Sequence, residues 1–459
     1  VLTPDEAVAQ ARELKQLHQG ERAQLDLIRR YWKGVQRLPV VIPSSSPPVV
    51  RKMAAIARVN MCEIVINSLA QSTFVDNFRT KDADEELDVW NAWQANKMDA
   101  RQSGIHRAAY AYGAAYTIVL PGDPLPVIRG VSPRQLCAVY GDDPDWPEFA
   151  LEHRRGKYWR LYDADGVYEL TDNGGRRSFE QTAVREHGAG VTPVVRYLDE
   201  DDLDADDDVD GEAGDVMRRL RKPMRGQIAP LMSIQDQIDL TTFELLVAQH
   251  FSAFRQRYII GWVAEDEMAL AKASAAQVWT FDAPAEGEGA MKVGEFDQTE
   301  LDGYLKSRDS SLRHGATLSQ TPAHELIGEL VNLSAEALVA AESGHDRKVD
   351  ERKTMLGESH EQTLRLVGTL AGTKVPDDAQ VVWRETSARA FSATVDALGK
   401  LCKMLGIPAE ELWERIPGAT RQDVERWKAA AAANGGEGEM AEVFRILRAS
   451  VTGNSDPAA

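Results

Sequence analysis

The chain has 459 residues, 43% of them hydrophobic, and a formal net charge of −19. That is ample material for a core, with a soft prior of about three domains, and no run approaches the ~20 apolar residues of a membrane helix. Tight wrapping of duplex DNA calls for a basic footprint, and the overall balance shows none.

Residues 3–33 read as a helix, with Thr3 as cap, Pro4 in the first turn, and Asp5 and Glu6 at the positive end of the dipole. This polar start has no signal-peptide pattern. Cys62, Cys137 and Cys402 lie far apart, form no metal spacing and are odd in number, so they read as buried small hydrophobes of a reduced, intracellular, soluble protein. RLPVVIPSSSPPVV follows as an extended arm. A second helix is expected over 49–71 and a third over 83–112, with Leu87, Trp90, Trp93 and Met98 on one buried stripe. Trp90, Trp93 and Trp383 read as core or interface anchors.

From Ala115 the period becomes that of strands: AYTIVL, PVIRG, QLCAVYG, FALEHRR, KYWRLYD and VYELTD, with Asp165-Gly166 as the hairpin turn between the last two, and then VTPVVRYL. Residues 199–215 hold eleven acids and no base; they supply 11 of the net −19 and leave −8 elsewhere. This run reads as a solvated loop.

Gln227 to Ile260 is a long helical pattern, with apolar residues at Ile228, Leu231, Ile234, Ile238, Leu245, Ala248 and Phe251. Some thirty helical residues span roughly 45 Å, too long for a compact domain of ordinary size. Its stripe is expected to face other subunits, while Gln235, Asp236, Asp239 and Glu244 stay wet. A small insertion with strands QVWTFD and MKVGEF comes next, then a helix over 299–317, a loop SQTPAHELIGEL, and a second rod from Leu333 to Leu370. One more strand, VVWRET, and helices near 388–405, 408–415 and 420–433 precede a tail, NSDPAA, expected to be disordered. The fold class is α+β, mainly α.

Several chemistries are missing. No GxxxxGK[ST] loop exists to cradle a nucleotide phosphate, and no G-x-S-x-G occurs. HELIG at His324 starts like a zinc helix, but Gly328 stands where the second His belongs. Asp206, Asp208 and Asp210 start like a calcium loop, but Met217 occupies the place of the bidentate Glu. No cofactor is expected, and no enzyme.

Five motifs in this order carry a resemblance: YWKGVQRLP at 31–39, RVNMCEIVINSLAQSTFVDNFR at 58–79, WNAWQANKMDARQSGIHRAAYAYGAAYTIV at 90–119, VSPRQLCAVYGDD at 131–143 and WERIPGATRQDVERWK at 413–428. The chain resembles the portal, or head–tail connector, proteins of tailed double-stranded-DNA bacteriophages, in the siphophage version. The resemblance implies an N-terminal helix and arm (1–44), a wing (45–225), a first stem helix (226–256), a clip (257–297), a second stem helix (298–318), a tunnel loop (319–332), a tunnel helix (333–373) and a crown with tail (374–459).

It also implies a ring of twelve copies in the virion, at a capsid vertex, assembled in the host cytoplasm. Viral double-stranded DNA would pass through the ring. Its partners would be the terminase large subunit, a head-completion adaptor, and the major capsid and scaffolding proteins, without a membrane. Channel candidates are then Lys306, Arg308, Arg313, His324 and Glu325, and clip candidates are Arg255, Arg257, Trp262 and Trp279. Salt bridges to Asp302 or Asp309 are an equal reading of the stem cations. A helical scaffold without a channel is the rival function.

Overall fold

The structure is a computed structural model that describes residues 1–79, 83–174, 179–200, 226–252, 257–260, 278–281, 292–295, 300–328, 335–384, 391–416, 419 and 421–434. It is α+β and mainly helical, as expected.

Helix α1 (Pro4–Trp32) starts with a capping box: the Thr3 hydroxyl accepts from the Glu6 amide, and the Glu6 carboxylate accepts from the Thr3 amide at 2.8 Å. The expected second helix is two, α2 (Pro48–Ile56) and α3 (Met61–Ser72). The break has a cause: Asn60 caps α3 through the Glu63 amide, and the Val59 amide leaves the helix to reach Asp239. Residues 48–72 are apolar enough for a membrane span by composition, but helices of 9 and 12 residues are too short to cross a core of ~30 Å.

The third expected helix is also two, after a short strand β1 (Val75–Arg79): α4 (Ala83–Ala95) and α5 (Met98–Tyr112). Lys97 is left-handed between them. The Asn96 amide donates to the Ala92 and Pro126 carbonyls, and its side-chain oxygen accepts from the Ile128 amide. Trp90, Trp93 and Met98 are buried as expected, with the two indoles stacked at 5.5 Å.

Strands β2 (Ala114–Leu120), β3 (Val127–Val131) and β9 (Val194–Leu198) form an antiparallel sheet in the order β3-β2-β9. Strands β4 (Leu136–Tyr140), β5 (Pro147–Arg155), β6 (Tyr158–Tyr162), β7 (Gly166–Asp172) and β8 (Phe179–Glu186) form a meander. Sequence periodicity misses β1 and β8, which are short or largely polar. The meander lies between α1 and the smaller sheet. Cys137, Val139, Leu151 and Leu161 face α1, and Leu136, Ala138, Ala150 and Tyr162 face the other sheet. With both faces covered, LCAVY has no polar alternation to show.

The first rod is shorter than expected. After a 3-10 turn, α6 spans Met232–Ser252, 21 residues or about 31 Å, and Arg257–Ile260 is strand β10. β10 pairs parallel with β11 (Val278–Phe281) and antiparallel with β12 (Lys292–Glu295). Helix α7 (Asp302–Ser319) follows, then a five-residue helix α8 (Ala323–Ile327) where a loop was expected. The second rod holds as α9 (Ala335–Ala371), 37 residues or about 55 Å. Strand β13 (Gln380–Trp383) pairs with β1, and α10 (Phe391–Leu405), α11 (Ala409–Leu412) and α12 (Arg421–Asn434) complete the described chain. Cys62 and Cys137 are buried; Cys402 is only half-buried, contrary to expectation. The tail NSDPAA lies outside the described residues.

A polar line runs through the main core and fixes α9 to α5 and β9. The Tyr197 hydroxyl lies 3.2 Å from His360 Nδ1, His360 Nε2 lies 2.8 Å from His106 Nε2, and His106 Nδ1 lies 3.1 Å from the Thr73 carbonyl. Neutral rings satisfy every atom if Tyr197 donates to His360, His360 to His106, and His106 to Thr73. Burial pushes His106 down to about 4 and His360 well below its ordinary value. Between there and about 6.5 the unfolded chain takes up protons that the folded chain refuses, so stability is lost as pH falls. Acidification from pH 7 to 4.5 is expected to cost roughly 2 kcal/mol per histidine. Chemical denaturation at several pH values, with His106→Gln/His360→Gln as the variant in which the slope flattens, checks this.

Candidate channel-lining site

Glycine admits the chain to this site. At Gly226 an added Cβ would lie 2.5 Å from the Gly113 nitrogen and 2.7 Å from the Ala111 oxygen. That close passage lets the Gln227 amide donate to the Tyr110 carbonyl at 2.8 Å. Helix α6 leaves from here, and α7 returns packed along it. The start of α6 and the end of α7 meet at one side chain: Lys348 Nζ of α9 donates to Gln227 Oε1 and to the Ser319 carbonyl. The two helices are therefore antiparallel.

Lys348 belongs to a buried node. Gln227 Nε2 donates to Asp199, and Arg352 donates through Nε to Asp199 at 2.8 Å and through Nη2 to Glu200 at 2.6 Å. Asp199, Gln227, Lys348 and Arg352 are all buried. Burial pushes Lys348 down to about 8 and Asp199 up to about 6. Burial alone would lower Arg352 too, but the charges of Asp199, Glu200 and Glu351 outweigh it and hold the guanidinium charged. Asp199 does not lie in a solvated loop, as its place in the acidic run suggested: through Gln227, Lys348 and Arg352 it ties β9 to the start of α6, the end of α7 and α9.

A second node corrects the expectation of a wet polar face on α6. Gln235 and Asp239 are fully buried. Asp239 accepts from Gln36 Nε2 at 2.7 Å, the Val59 amide at 2.9 Å and Gln235 Nε2 at 2.9 Å. Gln235 Oε1 accepts from the Met61 amide at 3.0 Å. Asp236 accepts from the Tyr31 hydroxyl at 2.7 Å. Only Glu244 is exposed as expected. The apolar stripe was expected to face other subunits, but Ile228, Leu231, Ile238 and Leu245 are buried within the chain itself, and of its large side chains Phe251 is the exposed one, at 50%.

On α7, Ser311, Gly315, Ala316 and Ser319 form the packed face. A Cβ at Gly315 would lie 2.7 Å from Met61 Sδ, so α3 and α7 meet where a side chain would displace Met61. Lys306 and Arg313 are exposed on the opposite face, seven residues apart. Arg308 stands about 140° around the helix from Arg313; it is half-buried and pairs with Asp309 at 3.5 Å. The sequence grouped the three cations, and the structure separates Arg308 from the other two. His324 and Glu325 sit on α8, half-buried and exposed respectively, held by buried Leu326. Left-handed Gly328 closes α8 by donating its amide to the His324 carbonyl at 2.9 Å.

Of the clip candidates, Arg257 lies on β10 opposite Val278 and Glu295, and Trp279 lies on β11 opposite Tyr258. Arg255 and Trp262 lie outside the described residues, as do Asp206, Asp208 and Asp210. Among the described residues no cluster of three His, Cys, Asp or Glu is suited to a metal.

A family model described as "Phage portal protein, SPP1 Gp6-like" matches residues 12–437. The chain belongs to this portal protein family. Its relatives include the portal protein of Mycobacterium phage D29, 28% identical over 431 residues, covering 87% of this chain and 84% of the relative. The portal protein of Mycobacterium phage L5 is 27% identical over 386 residues, covering 80% and 76%. Among solved structures, the neck of an empty gene transfer agent (GTA) particle, computed with C6 symmetry, is similar with a TM-score of 0.46 and 11% identity, covering 84% of this chain and 89% of that one. The portal family is structural rather than enzymatic.

The residues that sequence reasoning missed are Asp199, Gln227, Lys348 and Arg352. A signal existed in α9. Lys348, Arg352, Leu356, His360, Leu364 and Gly368 recur every four residues, so the two cations continue the inward stripe of a buried helix face.

Proposed function

We propose that the chain forms a homo-oligomeric ring, twelve copies in the particle, at one capsid vertex of the virion, and that viral double-stranded DNA is packaged and ejected through its channel. The match of the portal family over residues 12–437 carries the reading. Residues 45–225 with α9 form the wing, α6 and α7 are the stem, 257–297 the clip, 319–332 the tunnel segment and 374 onward the crown. The clip docks the terminase large subunit during packaging and the head-completion adaptor afterwards. Capsid and scaffolding proteins surround the wing during assembly in the host cytoplasm.

The geometry supports a channel wall in one respect above others. Helix α7 packs one face against α6 and α3 and presents the other, with Lys306 and Arg313, outward. A mostly acidic body repels DNA and permits sliding, while a few cations per copy make transient phosphate contacts. Negative-stain images or mass photometry test the ring: assemblies near twelve times 50.7 kDa support it, and a monomer or dimer supports the scaffold. Lys306→Glu/Arg313→Glu is expected to reduce DNA-filled particles roughly tenfold, because like charge replaces counterion-releasing contacts. Normal filling, measured as packaged DNA per particle, removes these two residues from the lining.

A further inference from the structure

The overall acidity hides segments of opposite sign, and one of them lies near the start of the chain. Residues 27–62 contain seven Lys and Arg, from Arg29 to Arg58, and no acid; they carry +7 against −26 on the rest of the chain, which together make the −19. All seven cations are exposed, and none pairs with a carboxylate among the described residues. Large apolar side chains are interleaved with them: Val41 is 91% exposed, Ile56 69% and Val35 54%.

The geometry makes this segment a flap. Gln36 and Val59 both donate to Asp239, so one buried carboxylate on α6 holds both ends of residues 37–58. Arg58 Nη1 closes the base on the Gln36 carbonyl at 3.3 Å. Between these ends, α2 has nine residues and no buried one. A helix that short is marginal without packing, and its main packing partner within the chain is α6. The arm and α2 are thus held in a defined shape with an unfilled basic and apolar face.

We propose that this flap, with the adjoining end of α1, docks on an acidic face of a second copy of the chain, the neighbouring subunit of the ring. The inference rests on the ring reading above. A closed ring needs a heterologous contact, in which one surface of each copy meets a different surface of the next. Here the segment carries +7 and the rest of the chain −26, an opposition of sign that favours and orients the contact. The exposed valines and isoleucine favour a protein over a nucleic acid, whose binding surfaces are more polar.

Two variants test it, each altering only exposed side chains: Arg37→Glu/Arg51→Glu/Lys52→Glu, and Val41→Asp/Ile56→Asp. Circular dichroism and thermal unfolding establish that each folds. Each is expected to raise the protein concentration for half-maximal ring formation roughly tenfold, the charge variant because repulsion replaces attraction. Amine–carboxyl crosslinking of rings made from labelled and unlabelled chains is expected to join Lys52 to an acid of the other label. Wild-type rings with both variants assembling normally overturn the docking strip alone. So do variants that keep their rings but lose retention of DNA in a gel, which would make the strip a DNA contact. A wild-type chain that forms no ring overturns the ring reading, and this proposal with it.

Discussion

Arg352→Ala is expected to lower the unfolding free energy by about 3–5 kcal/mol, the usual cost of leaving one partner of a buried ion pair alone. Asp199 is fully buried and would keep only its Gln227 bond and the field of Lys348. Glu200 would lose its 2.6 Å partner. Arg352→Lys is expected to recover only part of the loss, because a point charge cannot send one donor to Asp199 and another to Glu200 in a fixed fork. The shift of the urea midpoint at unchanged slope measures this. A loss under about 1 kcal/mol would show that the node is an ornament of the fold, within the range of exposed pairs. The node's position gives the result a functional reading. It joins β9, the start of α6, the end of α7 and the middle of α9, so in the proposed ring Lys348 and Arg352 would couple α6 and α7 to α9.

Asp239→Ala is expected to cost about 3 kcal/mol, since it removes one acceptor from the buried side-chain amides of Gln36 and Gln235 and from the part-buried Val59 amide, at 1–3 kcal/mol for an unsatisfied group, with partial relaxation. Its signature differs from that of Arg352→Ala. Asp239 accepts from both ends of residues 37–58, so limited proteolysis is expected to cut the variant within the flap at temperatures where the wild type resists. Ring formation should weaken along with it if the flap docks on a neighbour. An Asp239→Ala chain as stable as wild type, with the flap still protected, would mean that packing of α2 on α6 holds the flap without the carboxylate.

The sequence determined a good deal by itself. The Thr3–Glu6 cap, the Asp165-Gly166 hairpin, most of the strands and the 37-residue α9 were legible, because each depends on neighbours a few residues away. The order of motifs from YWKG to the late helices was enough to name the portal family. Breaks were harder. The interruptions at 57–60 and 96–97 draw on distant partners, Asp239 and the Pro126–Ile128 segment, beside the local Asn60 cap.

Only the tertiary structure decided the fate of the polar residues. Periodicity assigns a residue to a face of its helix, but it cannot say what covers that face. Gln235 and Asp239 read as wet, yet Asp239 is dry because Gln36, 203 residues earlier, and Val59, 180 residues earlier, bring donors to it. Asp199 read as one acid among eleven until Arg352, 153 residues away, met it. Lys306, Arg308 and Arg313 looked alike until α7 turned its Gly315 side towards Met61 and took Arg308 with it. A buried charge is tolerable only when distant parts of the chain supply its partners, and that supply is fixed by the fold rather than by the local sequence.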